Sequence, residues 1–309
     1  SGPTDANMAK FTHPYLDLAR MEMLRRVRLT PRGAAEGTFA GPHKSQYRGT
    51  AVEFADYRDY VPGDDIRLVD WKVYARSDKY YVRLYEAERN LLSYLVVDTS
   101  GSMDFSGEVT RTESKLAYAS RLAAAMAYMV VREGDEVGLS LAGAQLHTHL
   151  PARSSWRHLA ALVEQLGNAR ADGPTDLGEC LRQSYRRVSR RGVLVVVSDF
   201  LDESPDLWRA IDLFRKSQFD VMLFHVVHPE ELELPDVPMA RFVDPEGGAG
   251  VFNTEPHVVR QQYRQRFAQF LSQVEANART RGCDWFLART DADPYVRLKD
   301  CFLAREAVR

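Results

Sequence analysis

The 309-residue sequence lacks most of the features that announce a function directly. It has three cysteines, Cys180, Cys283 and Cys301, with no Cys-x-x-Cys pair. That excludes a disulfide framework and argues against a zinc site. The longest apolar runs, 122–131 and 193–197, fall well short of the roughly 18 residues that a membrane helix needs. Residues 1–10 carry no apolar core of an export signal, so a reduced, cytoplasmic chain is the expectation. Positive charge is not in surplus: 41 Lys and Arg stand against 43 Asp and Glu, a net charge of −2. General electrostatic binding of nucleic acid needs a basic face and is not expected. There is no Gly-x-x-x-x-Gly-Lys phosphate loop, no Gly-x-Gly-x-x-Gly dinucleotide turn and no Gly-x-Ser-x-Gly nucleophile elbow. Repeats and low-complexity tracts are absent as well.

What remains is a globular composition, 45% hydrophobic and 27% charged. Three regions follow from the patterning. Residues 1–37 form an N-terminal helical segment, with an amphipathic helix expected over 13–28 and a stop at Pro31-Arg32-Gly33. Residues 38–90 form a small β-rich module, its short runs 52–54, 67–71 and 80–85 broken by Gly41-Pro42 and Pro62-Gly63-Asp64-Asp65. Residues 91–309 alternate strand and helix. Strands are expected over 91–97, 136–142, 145–150, 193–197, 220–227 and 283–288, and helices over 114–132, 154–167, 177–189, 206–217, 256–281 and 295–306. A hairpin with a loose tip is expected over 240–253. The alternation implies a mostly parallel sheet flanked by helices.

In such a sheet, ligands bind beyond the carboxyl ends of the strands. Three loops bring oxygen-bearing residues to that edge: Asp98-Thr99-Ser100-Gly101-Ser102, Asp172-Gly173-Pro174-Thr175-Asp176 and Ser198-Asp199. Asp98-x-Ser100-x-Ser102 suits a divalent cation, because a tight turn at Gly101 aims alternate side chains into one concavity. Hydroxyl and carboxylate oxygens are hard donors, which favours Mg²⁺ (or Mn²⁺ or Ca²⁺) over zinc. Ser100, Ser102 and Thr175 would bind directly, Asp98 and Asp199 directly or through water. With so few carboxylates, the cation would stay electrophilic and recruit an acidic group from another molecule.

The set Asp98, Ser100, Ser102, Thr175 and Asp199 resembles the metal-ion-dependent adhesion site (MIDAS) of von Willebrand factor A domains, in the same order and over about 91–288. That family often has Thr-Asp-Gly where this chain has Ser198-Asp199-Phe200. Upstream, Arg58-Asp59-Tyr60-Val61-Pro62-Gly63-Asp64-Asp65-Ile66-Arg67, Val69-Asp70-Trp71, Ala75-Arg76 and Tyr85-Glu86-Ala87-Glu88 resemble the bacterial family called domain of unknown function 58. The resemblance implies a von Willebrand A-like α/β fold (Rossmann-like), no reaction, and a protein partner: a MoxR-type AAA+ ATPase and its client. Many members carry membrane helices near the amino end; none is found here, so stable membrane insertion is not carried over.

Other patterns have plainer readings. Arg67, Asp70, Arg76 and Glu86 are expected in buried ion pairs, and the tyrosines of the small module as strand filling. His147 and His149 alternate on a strand and read as surface residues rather than zinc ligands. Arg182, Arg186, Arg187, Arg190 and Arg191 read as a solvated face. The rival function is an Mg²⁺-dependent phosphohydrolase with Asp98 as nucleophile. Its general acid is wanted two residues later, where Ser100 stands.

Overall fold

A computed structural model describes residues 13–31, 52–62, 64, 66, 69–77, 79–87, 91–110, 112–201, 204–243 and 251–307. They group into two compact units, one from Ser1–Gly33 with Leu91–Arg309 and one from Ala34–Asn90.

The N-terminal stretch is not the long helix expected over 13–28. Asp17 caps a single turn, α1 (Leu18–Met21), by accepting the Ala19 and Arg20 amides at 3.0 and 3.2 Å, and a 3-10 turn follows at Glu22–Leu24. Beyond it, Arg132 donates to the Leu24 and Val27 carbonyls, each at 3.2 Å, where a continuing helix would have used backbone amides. The chain thereby sends Leu16, Met21, Leu24, Val27 and Leu29 all into the core of the larger unit. One helical stripe could not bury residues so spaced.

In the smaller unit, β1 (Val52–Asp59) pairs antiparallel with β2 (Tyr81–Ala87), with an irregularity between Phe54 and Asp56. Of the strand expected over 67–71, residues 67 and 68 lie outside the described residues, Val69 makes a single antiparallel bridge to Val82, and a helix, α2 (Trp71–Ser77), begins at Trp71. Asp70 is the reason: its carboxylate accepts the Lys72 and Val73 amides at 2.9 and 3.3 Å, as an N-cap does. Asp70 also accepts the Tyr57 hydroxyl at 2.9 Å, so this buried acid is held by a cap and a phenol; Arg76 is exposed. The side chains of Arg67 and Glu86, expected in the same ion pairs, lie outside the described residues, as do Gly63 and Asp65 of the turn. Asp64 of that turn pairs with Arg58 at 2.9 Å. The tyrosines pack on one another, Tyr74 stacking on Tyr80 at 4.4 Å.

The larger unit is built on β3 (Leu92–Asp98), β4 (Glu136–Ala142), β5 (Leu146–Arg153), β6 (Val193–Ser198), β7 (Asp220–Val227) and β10 (Asp284–Arg289). A separate antiparallel hairpin, β8 (Ala240–Val243) and β9 (Val251–Thr254), precedes β10; its expected loose tip lies outside the described residues. The sheet order is β10-β7-β6-β3-β4-β5, parallel except for edge strand β5. Alternate residues of each central strand serve opposite cores. Leu95, Val97, Val193, Val195 and Val197 face one, and Tyr94, Val96, Leu194 and Val196 the other. The continuous Val and Leu runs are thus explained by burial on both faces.

The first core is closed by α3 (Lys115–Arg132), α4 (Trp156–Asn168) and α9 (Pro294–Ala307), the second by α5 (Leu177–Tyr185), α6 (Pro205–Lys216) and α8 (Pro256–Thr280). Alanine-rich α3 is buried nearly all round, between the sheet and α4 and α9. Between β7 and β8 lies the short helix α7 (Pro229–Leu232). This is the expected α/β architecture, a mostly parallel sheet with helices on both faces.

One buried ion triad fastens the amino ends of β7 and β10. Arg305 of α9 pairs with Asp220 at 2.5 Å and with Asp284, and donates to the Thr30 carbonyl at 3.2 Å. Arg305→Met would take the guanidinium away from two buried carboxylates, and we expect a loss of about 3–5 kcal/mol in urea unfolding. A loss below about 1 kcal/mol would mean that the carboxylates find other compensation.

Candidate metal centre

Where strand order reverses in an open parallel sheet, loops leave the carboxyl ends toward opposite faces and open a crevice. The reversal here lies between β3 and β6, which pair with each other and are flanked outward by β4 and β7. Asp98 is the last residue of β3, and Asp199 follows the last residue of β6.

The Asp98 side chain is buried, with both oxygens engaged. Oδ1 accepts the Ser100 amide at 2.9 Å and Oδ2 accepts the Ser198 hydroxyl at 2.6 Å. Ser100 caps a 3-10 turn, Gly101–Asp104, that contains Ser102; the two hydroxyl oxygens lie 3.1 Å apart. The third loop is stitched to this turn through its backbone. Asp172 N donates to Thr99 O at 3.0 Å and Gly101 N to Gly173 O at 2.8 Å. Gly173 takes φ +68°, a left-handed conformation that glycine adopts without penalty. Thr175, two residues on, has a buried hydroxyl oxygen with no hydrogen-bond partner.

Asp199 is buried too, and Lys115 Nζ sits 2.7 Å from its Oδ2. The same ammonium lies 2.6 Å from Glu231 Oε1. Lys115 is itself fully buried.

These contacts set the electrostatics. Burial, reinforced by the nearby Asp199 charge, pushes Asp98 up to about 7, against the pull of its Ser198 and Ser100 hydrogen bonds. Burial acts on Asp199 in the same upward sense, but the Lys115 ammonium outweighs it, with help from the Ser102 hydroxyl, and holds this carboxyl below the usual range. Burial raises Glu231. The structure thus gathers Asp98, Ser100, Ser102 and Asp199 into one buried group, and places Thr175 on a loop bonded to the same turn.

Does this group fit a cation? Among the described residues, no three His, Cys, Asp or Glu side chains converge as a cage, so hydroxyl oxygens would have to supply part of the shell. Two buried carboxylates, one of them (Asp98) incompletely compensated, and an unpartnered buried hydroxyl fit a hard dication in that way. The histidines are engaged elsewhere: His147 Nε2 lies 2.8 Å from the Thr99 hydroxyl, and His149 Nδ1 lies 3.1 Å from that of Ser140.

Sequence reasoning missed Lys115, Ser198 and Glu231. Lys115 stands in the first turn of α3, where the helix dipole disfavours a cation, and that mismatch was a usable signal. Phe200, standing where glycine is common, adopts φ +54° and packs against His225 at 5.3 Å between ring centres. The left-handed loop shape is therefore kept without the glycine, at a cost of order 1 kcal/mol.

The raised Asp98 carboxyl has a consequence for stability. The native protein holds this proton up to about 7, whereas the unfolded chain releases it near about 3.9. Stability from this group is complete below the lower value and lost as pH rises through the upper one. In EDTA, Asp98→Asn is expected to flatten the fall of the thermal midpoint between these values and to exceed wild type at about pH 8. Parallel pH profiles for the two proteins would contradict this.

Comparison with known proteins gives the chain's family. A family model described as "Protein of unknown function DUF58" matches residues 56–273. An uncharacterized protein of Mycobacterium tuberculosis is 31% identical over 274 residues, covering 87% of this chain and 84% of its own. The uncharacterized protein YeaD of Bacillus subtilis is 26% identical over 150 residues, 48% of this chain and 35% of that protein. Among solved structures, the conserved hypothetical protein BatB from Bacteroides thetaiotaomicron aligns with a TM-score of 0.46 at 17% identity, covering 71% of this chain and 100% of that one. A von Willebrand factor type A structure from Catenulispora acidiphila gives 0.35 at 21% identity, over 48% and 35% of the two chains. With most of its length matched by the family model and 31% identity over 274 residues to a relative covered to 84%, the chain belongs to the DUF58 family.

Proposed function

We propose that this chain is a non-enzymatic, divalent-cation-dependent protein-binding module. Asp98, Ser100, Ser102, Thr175 and Asp199 would hold Mg²⁺ (or Mn²⁺ or Ca²⁺) in a MIDAS-type site, and the bound cation would supply an electrophile that a partner's Asp or Glu completes. The observation that carries this reading is the Thr175 hydroxyl, buried and unpartnered, on a loop bonded to the turn that presents the incompletely compensated Asp98. A buried polar atom left without a partner is costly, and the cost is relieved when a ligand arrives.

The residues divide the work. Ser198 and the Ser100 amide fix the Asp98 carboxylate, and Lys115 fixes Asp199. Ser100, Ser102 and Thr175 contribute neutral oxygens, which leaves the positive charge of a cation only partly offset and receptive to an outside carboxylate. The family resemblance supports a MoxR-type AAA+ ATPase and its client as partners, in protein assembly or maturation, with the work done in the cytoplasm. Among the described residues, no helix is long and apolar enough to cross a membrane. A phosphohydrolase is less well supported. Its general acid is wanted two residues after the nucleophile, where the chain has the hydroxyl of Ser100.

The test is recovery of the ATPase of the same organism on the immobilised chain, in Mg²⁺ and in EDTA. Recovery should drop at least about tenfold in EDTA, and likewise for Asp98→Ala and Thr175→Val in Mg²⁺. Equal recovery in both buffers removes the cation from the mechanism. Mg²⁺-dependent turnover of an aryl phosphate, lost in Asp98→Asn, would install the phosphohydrolase instead.

A further inference from the structure

Lys115 is the least expected group in the crevice. A lysine is seldom fully buried unless paired, and this one has no exposed surface. It opens α3 directly after the Ser114 N-cap, where the helix dipole opposes a positive charge. Its place therefore needs another reason than helix stability. Nζ is gripped from two elements, by Asp199 Oδ2 at 2.7 Å and Glu231 Oε1 at 2.6 Å. Glu231 is in turn aimed by the capping box of α7, in which its Oε2 accepts the His228 amide at 2.7 Å. Two helices are thus arranged to hold an ammonium against one particular oxygen of Asp199.

The consequence is geometric first. A cation that took both Asp199 oxygens would stand close to the ammonium on Oδ2 and be repelled by it, which leaves approach through Oδ1, an atom that accepts the Leu201 amide at a loose 3.3 Å, as the favoured mode. A carboxylate limited to one oxygen suits Mg²⁺, which takes single oxygens in strict octahedral order at about 2.1 Å. It handicaps Ca²⁺, which takes six to eight oxygens at about 2.3–2.6 Å and readily uses both of a carboxylate. The second consequence is electrostatic. Lys115 cancels one of the charges of Asp98, Asp199 and Glu231, which lowers the pull of the group on any cation.

We propose that Lys115 is a selectivity-setting counter-charge: by holding Oδ2 of Asp199 it restricts that carboxylate to one-oxygen coordination, favouring Mg²⁺ over Ca²⁺ and keeping the affinity of the free chain modest, so that a partner's carboxylate tightens it. This rests on the cation reading proposed above. Lys115 acts through Asp199 and is a positioning residue, not a ligand.

The experiment is isothermal titration of the full chain with MgCl₂ and with CaCl₂, for wild type and Lys115→Met. Wild type should bind Mg²⁺ at least about fivefold more tightly than Ca²⁺. In Lys115→Met, Ca²⁺ should tighten by at least about tenfold while Mg²⁺ gains less, so that the preference narrows or inverts. A lysine that only pins the fold would lower the thermal midpoint of the variant and leave the ratio of the two affinities unchanged; that result overturns the proposal. So does a wild type that binds Ca²⁺ as tightly as Mg²⁺, a measurement that does not depend on the variant folding. If wild type binds neither ion, the cation reading itself has failed. Binding with an unaltered ratio refutes the role of Lys115 alone.

Discussion

Asp98 and Asp199 stand close together, buried, at the one place where the strand order reverses. Two carboxylates taken out of water near each other must be compensated, and most of the local architecture can be traced to that requirement. The compensation is unequal. Asp199 receives an ammonium from Lys115, shared with Glu231, whereas Asp98 receives only neutral donors from Ser198 and Ser100. The two carboxyls are consequently driven apart, one below its ordinary range and the other up to about 7. The less compensated carboxyl of Asp98, beside the loop that carries the unpartnered Thr175 hydroxyl, is the footing of the proposed cation site.

The framework around these acids is stiff for reasons visible in the packing. β3 and β6 are buried on both faces, so their carboxyl ends cannot shift without moving two cores. The loops are held by backbone hydrogen bonds rather than by long side chains. Thr99 O takes the Asp172 amide, Gly173 O takes the Gly101 amide, and Gly143 O takes the Asp176 amide. Asp176 then caps α5 by accepting the Glu179 amide at 2.8 Å. The Thr175 hydroxyl is thus carried by a segment anchored at both ends, which fixes its place relative to the Ser100–Ser102 turn.

The fold of the larger unit was largely legible in the sequence, because strands buried on both faces are written as continuous Val and Leu runs that tolerate little else. β4 and β7 begin and end where the patterning places them. The five oxygen-bearing positions were legible because turns at strand ends select for Asp, Ser, Thr and Gly in tight spacing. What escaped was set by tertiary contacts. The helix expected over 13–28 is broken because Arg132, more than a hundred residues away, captures the carbonyls it would have used. The helix at Trp71–Ser77 hid behind β-branched and aromatic residues, although Asp70 marked its start. Lys115 and Glu231 could not be joined by spacing at all, since they meet only once α3 and α7 are packed on the same crevice.

That meeting shows how much rests on one short helix. α7 has four residues, yet its capping box points Glu231 toward Lys115 while the adjacent Glu230 turns the other way. Glu230 accepts the amides of Glu108, Val109 and Thr110 at 3.1, 2.9 and 2.7 Å, pinning the loop that continues from the Ser102 turn. Gly107 of that loop, at φ +76°, lies so close to His228 that a Cβ would fall 2.3 Å from the ring. The lysine that governs Asp199 and the loop that borders Ser102 are therefore set by neighbouring side chains of a single element. A displacement of α7 would act on both walls of the crevice at once, so this four-residue helix joins the charge of the site to its shape.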